Sequence, residues 1–146
     1  MHYRPATAAD LDPVRVLLAA CDLPGEDLTP ALMSGFLVAL EAGGLVGCIG
    51  VEALADGALL RSLAVEPAHR GRGIGERLCD DAEESARNSG VRDLYLLTTT
   101  AAEYFAARGF HRVERSGLPA SVQATAQFTQ LCPASAVAMH KPLSRF

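Results

Sequence analysis

The run Arg70-Gly71-Arg72-Gly73-Ile74-Gly75 has the residue types and spacing to hold an anion. Glycines let a backbone approach a ligand closely, and successive amides at a helix start point outward to phosphate oxygens. Arg70 and Arg72 add charge-assisted donors suited to a polyanion. Two other phosphate loops are excluded. A Walker A loop ends in Gly-Lys-Ser/Thr, which is missing here, and the dinucleotide fingerprint needs G-x-G-x-x-G, whereas these glycines fall at 71, 73 and 75. The plain alternative is a tight strand-to-helix turn with solvated arginines. Arg61 is the second position with chemical content. It lies in the apolar run Ala58 to Val65, where a guanidinium needs a partner. Its fork suits a carboxylate, supplied by a substrate or by an internal glutamate.

The cysteines (21, 48, 79 and 132) and the histidines (2, 69, 111 and 140) are scattered, with no C-x-x-C pair and no zinc spacing. Free thiols and no metal site are expected.

These residues need elements to position them. Thr7-Ala-Ala-Asp10 reads as a helix N-cap, followed by Leu11, Val14, Leu17 and Leu18 at helical spacing. Thr29-Pro30 reads as a second helix start. Strands are expected over 36–41 and 45–54, joined by a short loop at Ala42-Gly43-Gly44, and over 58–65 after the Asp56-Gly57 turn. The near-continuous apolar character of 58–65 predicts a central strand covered on both faces. The glycine run then opens a helix to about Ser89. Ile74, Leu78, Ala82 and Ala86 form its buried stripe, Asp80, Asp81, Glu83 and Glu84 a solvated face, and Gly90 its stop. A strand follows over 91–98. Thr100-Ala-Ala-Glu103 reads as a capping box opening a helix that Gly109 closes. A strand over 110–115, a short helix from Leu118-Pro119 and a last strand over 135–140 complete the order β-α-α-β-β-β-α-β-α-β-α-β. That is a mixed α/β (α+β) fold, with a mostly antiparallel sheet flanked by helices.

With 146 residues, 1–146 fits a single domain, and 49% hydrophobic residues supply a real core. Thirteen basic against 17 acidic residues give a net charge of −4, which argues against a nucleic-acid binder. No apolar run approaches the ~20 residues that span a bilayer. Met1 to Pro5 lacks an apolar signal core, so a cytoplasmic location is expected.

Leu63-Ala64-Val65-Glu66-Pro67, followed by Arg70-x-x-Gly73-x-Gly75, resembles the acetyl-CoA-binding core of the GNAT superfamily of N-acetyltransferases. Ala106-Ala107-Arg108-Gly109-Phe110 is similar to that superfamily's helix-ending Gly-Phe. The resemblance extends to the element order of nearly the whole chain. It implies acetyl-CoA as cosubstrate and a central strand splayed from its neighbour. Pantetheine would pair with the backbone around Leu63, Ala64 and Val65, and amides from Gly71 through Ile74 to Gly75 would hold the pyrophosphate. Leu118-Pro119, Leu131-Cys132-Pro133-Ala134-Ser135-Ala136 and Met139, with Leu96-Leu97-Thr98-Thr99, resemble the acetyltransferase domain of N-acetylglutamate synthases. They resemble more closely the short GNAT proteins of arsenic resistance. The implied acceptor is an amino acid or glutamate-like analogue, arsenical analogues included.

Acetyl transfer to an amine calls for a base to take the ammonium proton and an acid for the departing sulfur. Many members of the superfamily place a glutamate near the start of the strand that here begins at Ala58, but Leu59 and Leu60 occupy it. Glu52, near the end of the preceding strand, is the expected base, directly or through water, with a solvated strand-end glutamate as the alternative. The family's tyrosine usually stands four residues before the glycine of Gly-Phe. That position holds Phe105, expected to flank the pantetheine arm. Tyr104, one residue earlier and about 100° round the helix, is the candidate acid or a packing residue. Ser62 and Ser135 are candidate contacts for substrate polar groups. Cys132 would need a second nearby thiol to ligate trivalent arsenic, and the spacing supplies none.

The expected protein is an acetyl-CoA-dependent N-acetyltransferase with a small-molecule amine or amino-acid partner. Neither nucleic acid nor membrane is expected, and homodimerisation is open. A non-catalytic acyl-CoA-sensing module and an acetyltransferase of peptide or protein amines are the alternatives.

Overall fold

Strand pairing begins at the N-terminus of the computed structural model, which describes residues 1–131 and 135–143. β1 (His2–Pro5) runs antiparallel to β2 (Phe36–Glu41), and β2 antiparallel to β3 (Gly44–Leu54). β4 (Gly57–Val65) pairs in parallel with β5 (Asp93–Thr98) through Ala58–Leu94 and Leu59–Tyr95. β7 (Val137–Pro142) lies antiparallel between β5 and β6 (His111–Val113). The seven strands hydrogen-bond in the order β1-β2-β3-β4-β5-β7-β6, a mixed and mostly antiparallel sheet as expected. The helices are α1 (Leu11–Ala20), α2 (Ile74–Asn88), α3 (Ala102–Ala107) and α4 (Ala120–Gln123). Among the described residues no helix is long and apolar enough to cross a membrane.

Contacts divide the chain into two units, Met1–Glu52 with Arg61–Ser85, and Ala53–Leu60 with Ala86–Phe146. In the first unit the Thr7 cap forms as expected. The Thr7 amide donates to Asp10 Oδ2 at 2.7 Å, opening a single 3-10 turn that leads into α1. Arg4 donates two hydrogen bonds to the Asp10 carboxylate at 2.8 and 3.0 Å. Those bonds, with the help of Thr7, outweigh burial and hold its pKa down at about 2. Val14, Leu17 and Leu18 of α1 pack with Leu28, Met33, Phe36, Val38 and Cys48. The expected second helix is only a 3-10 turn, Ala31–Gly35. The chain must become extended at Phe36, and at Gly35 it passes so close to β3 that a Cβ would lie 2.1 Å from the Val51 carbonyl oxygen. The β2–β3 hairpin closes through two residues, Ala42 and Gly43. Both have positive φ, 53° and 80°, the twist that suits a two-residue hairpin loop.

α2 buries Ile74, Leu78, Ala82 and Ala86 as its pattern predicts. The expected acidic face needs one correction: Glu83 is only 3% exposed. It lies four residues beyond buried Cys79 and three before Ala86, so helical spacing carries it onto the packed side. Gly90, at φ 86°, ends the helix, with the Val91 amide reaching back to the Ala86 carbonyl at 2.9 Å.

In the second unit Leu59, Leu118, Val122 and Ala138 form a core, with Leu54, Tyr95, Leu97 and Phe128 packed against it. β5 begins at Asp93 rather than Val91, and β6 is three residues rather than six. The capping box expected at Thr100 is absent. α3 starts at Ala102, and the Ala101 amide donates instead to Thr98 Oγ1 at 3.0 Å. A hydroxyl that ends β5 thus holds the residue just before the helix, which itself has no side-chain cap.

Candidate active site

β4 is buried from Ala58 to Arg61, which matches its apolar run. At Ser62 the backbone turns left-handed, with φ 59°. A side chain at positive φ inside a strand is rare and costs about 1–3 kcal/mol, so its surroundings must hold it. The Ser62 carbonyl accepts a hydrogen bond from Cys48 Sγ at 3.3 Å, and Ser62 Oγ accepts one from Arg61 Nε at 3.0 Å. The irregularity ends the fully covered stretch, since Ser62 and Leu63 are only half-buried.

Arg61 has a protein partner for its fork, and the main one is Asp27. Nη1 and Nη2 reach the two Asp27 oxygens at 2.5 and 2.7 Å, and Nη1 also reaches Glu52 Oε1 at 3.1 Å. The Arg61 side chain is 1% exposed, Asp27 15% and Glu52 19%. The internal ion pair that the sequence allowed is therefore present, through Glu52 and, unexpectedly, through Asp27. The reading of Arg61 as a direct contact for a substrate carboxylate is corrected accordingly, because its bidentate face is already taken. Burial alone would raise the Asp27 pKa, but the hydrogen bonds and charge of Arg61 outweigh it and the net direction is down. Burial likewise works against the Arg61 charge, and the two carboxylates more than restore it.

Removing the guanidinium should be costly. Arg61→Leu leaves Asp27 and Glu52 side by side without their cation, and about 3 kcal/mol of stability should be lost at pH 7. The sign of the pH dependence follows from Asp27. Its folded pKa is depressed, so its stabilisation is present above the unfolded value of about 3.9 and is lost as pH falls below it. Urea unfolding of both proteins at pH 7 and pH 3 should show the deficit shrinking in acid. Equal stability at pH 7 would refute the account.

The glycine turn sits in the same unit. After β4 a 3-10 turn (Pro67–His69) leads to Arg70, and α2 begins at Ile74. Gly71 and Gly73 have φ 81° and 80°, and a Cβ on either would meet nothing within 4 Å. Both turn and surface are open, as a ligand-facing loop requires. Ile74 contributes only backbone to that face, since its side chain is 2% exposed. Arg70 differs from expectation: Nε donates to the Val65 carbonyl at 3.0 Å and Nη2 lies 3.5 Å from Cys21 Sγ. It ties the turn to the end of β4. Arg72 stays half exposed, 3.4 Å from Glu41 Oε2, and His69 Nε2 meets the same oxygen at 2.6 Å.

Tyr104, Phe105 and Ser135 belong to the second unit. Tyr104 is 36% exposed and meets Phe105 edge-to-face at 5.2 Å. Phe105 is 7% exposed and packs on Phe110 at 5.5 Å. Ser135 is exposed in the turn before β7. Cys132, for which the sequence supplied no second thiol to ligate arsenic, lies outside the described residues. Among the described residues no cluster of three or more His, Cys, Asp or Glu side chains could hold a metal ion.

Residues 33–112, more than half of the chain, match the acetyltransferase (GNAT) domain family. The chain belongs to the GNAT family. Its relatives include the amino-acid acetyltransferase of Pseudomonas aeruginosa, 35% identical over 88 residues, or 59% of this chain and 20% of that protein. The amino-acid acetyltransferase of Neisseria meningitidis serogroup B is 36% identical over 89 residues, 60% of this chain and 20% of that protein. This GNAT chain thus matches about a fifth of the length of these curated relatives. Among solved structures it is similar to N-acetylglutamate synthase from Neisseria gonorrhoeae complexed with coenzyme A and N-acetyl-glutamate. The TM-score is 0.85 and the identity 25%, over 99% of this chain and 35% of that one. Rv2747 from Mycobacterium tuberculosis, solved with CoA and NLQ, shares the fold with a TM-score of 0.81 and 24% identity, covering 99% of this chain and all of that one. The family match spans Glu52, Arg61 and the glycine turn but not Asp27.

Proposed function

We propose that residues 1–146 form one acetyl-CoA-dependent N-acetyltransferase domain that moves an acetyl group directly onto the amine of a small amino acid or glutamate-like analogue. The observation that carries the reading is the glycine turn before α2. Gly71 and Gly73 hold left-handed conformations with open space beside them, where backbone amides and a 15-residue helix start favour an anion. Acetyl-CoA fits there, and it supplies the acetyl thioester. Amides of residues 71–75 bind the pyrophosphate, Arg72 adds charge, and the backbone around Leu63, Ala64 and Val65 pairs with the pantetheine arm. Glu52 accepts the ammonium proton of the acceptor at Oε2, directly or through one water. Tyr104, one residue before the position of the family's tyrosine and 36% exposed, is the candidate acid.

The amino-acid acceptor is supported by the relatives named amino-acid acetyltransferase and by the likeness to N-acetylglutamate synthase. A cytoplasmic role in arsenic resistance, on an arsenical glutamate analogue, is the finer form of the same proposal. A screen for free thiol release from acetyl-CoA tests all of it. L-glutamate, an arsenical analogue, other amino acids, an amine lacking the carboxylate and a short peptide are compared. Turnover should be fastest with an amino acid. Release with no amine would overturn the enzyme reading, and a preference for the peptide would overturn the acceptor class.

A further inference from the structure

Arg61 is shared unequally by two carboxylates. Asp27 takes a two-bond contact with Nη1 and Nη2, while Glu52 has a single contact through Oε1. Among the described residues Glu52 Oε2 has no hydrogen-bond donor. Asp27 is well placed to impose this sharing, because the residue that follows it is anchored. Leu28 is 1% exposed in the core, its amide donates to the Gly25 carbonyl at 3.2 Å, and its carbonyl accepts from the Arg15 guanidinium. The third donor of Arg61, Nε, is occupied by Ser62 Oγ. The guanidinium therefore has one orientation in which every contact is made.

We propose that Asp27 is a positioning residue for Glu52: it engages the two-bond face of Arg61, limits Arg61 to one contact with Glu52, and leaves Oε2 free for the acceptor's proton. This rests on the reading of Glu52 as the base. Without Asp27 the fork is free to turn onto Glu52, since bidentate pairing is the geometry guanidinium and carboxylate prefer. Both Glu52 oxygens would then be engaged, and the carboxylate would be a poorer proton acceptor. Asp27 thus acts on the reaction through two side chains, without touching the reacting atoms.

A double-mutant cycle measures this coupling. Asp27→Ala should lower kcat about tenfold and leave the KM for acetyl-CoA within about twofold. In a Glu52→Gln background the same substitution should change kcat by less than about twofold, because the carboxylate it acts on is gone. Asp27→Glu, which restores a charge at the loop, should recover most of the loss. Thermal melting is followed throughout. If Asp27→Ala melts too low to assay, Asp27→Asn carries the comparison, since its amide cannot make the two-acceptor contact. An equal loss of kcat in both backgrounds, with Glu52→Gln itself impaired, would overturn the positioning role and leave the base in place. A wild-type rate for Glu52→Gln alone would overturn the base reading and this inference together.

Discussion

Gly73→Asp is expected to weaken acetyl-CoA binding several hundredfold while the fold survives. Gly73 has φ 80°, and an added Cβ would meet no atom within 4 Å, so the free protein has room for the side chain. The left-handed conformation costs a non-glycine residue about 1–2 kcal/mol, and aspartate tolerates it better than most. Against the ligand the substitution does two things. It fills the space beside amides that face a pyrophosphate, and it sets a carboxylate against phosphate charge. Like charges juxtaposed in an interface cost several kcal/mol, and about 3–4 kcal/mol is a factor of several hundred in affinity. Titration calorimetry with acetyl-CoA measures the loss, and circular dichroism with thermal melting checks the fold. Gly73→Ala separates the two causes. It carries the backbone strain without the charge, so it should bind far better than the aspartate variant. Unchanged affinity in Gly73→Asp would remove the main support for acetyl-CoA as the ligand.

Glu52→Gln should reduce kcat about a hundredfold at pH 7, within the usual range for losing a general base. Glutamine keeps the length of the side chain and an oxygen that can accept from Arg61 Nη1, so the buried cluster with Asp27 and Ser62 should persist. What the amide lacks is a site that takes up a proton. Acetyl-CoA affinity should stay within about twofold, because the glycine turn is untouched. The deficit should narrow as pH rises, since a growing fraction of the acceptor amine is then already deprotonated. Initial rates at saturating acetyl-CoA between pH 6 and about 10 give the profile. A rate equal to wild type across that range would assign Glu52 to the Arg61 cluster alone.

Features whose causes are local could be read from the order of residues. The glycine turn was legible because its φ demands and the helix behind it lie within a few residues. The stripe of α2 was legible because helical spacing repeats every four positions, and the loop Ala42-Gly43-Gly44 because its residues suit a hairpin turn, although β3 already begins at Gly44. The strand Ala58 to Val65 was legible as central because a continuous apolar run has few other places to go. Glu83 marks the limit of that reasoning, since charge suggested a solvated face while helical geometry turned the residue inward.

The partners of Arg61 emerge only once the chain is folded. Asp27 lies 34 residues away, in a loop whose own sequence carries no sign of a buried ion pair. A long-range charge pair has no spacing rule, because any carboxylate that the fold brings within reach will satisfy a buried guanidinium. The left-handed Ser62 is of the same kind. Nothing about serine asks for φ 59°: its carbonyl is held by Cys48, 14 residues away, and its hydroxyl by the neighbouring Arg61, whose own orientation is set by distant Asp27. The position of the binding turn is thus written in local backbone chemistry. The electrostatic setting of the proposed base is written only in contacts between residues that are distant along the chain.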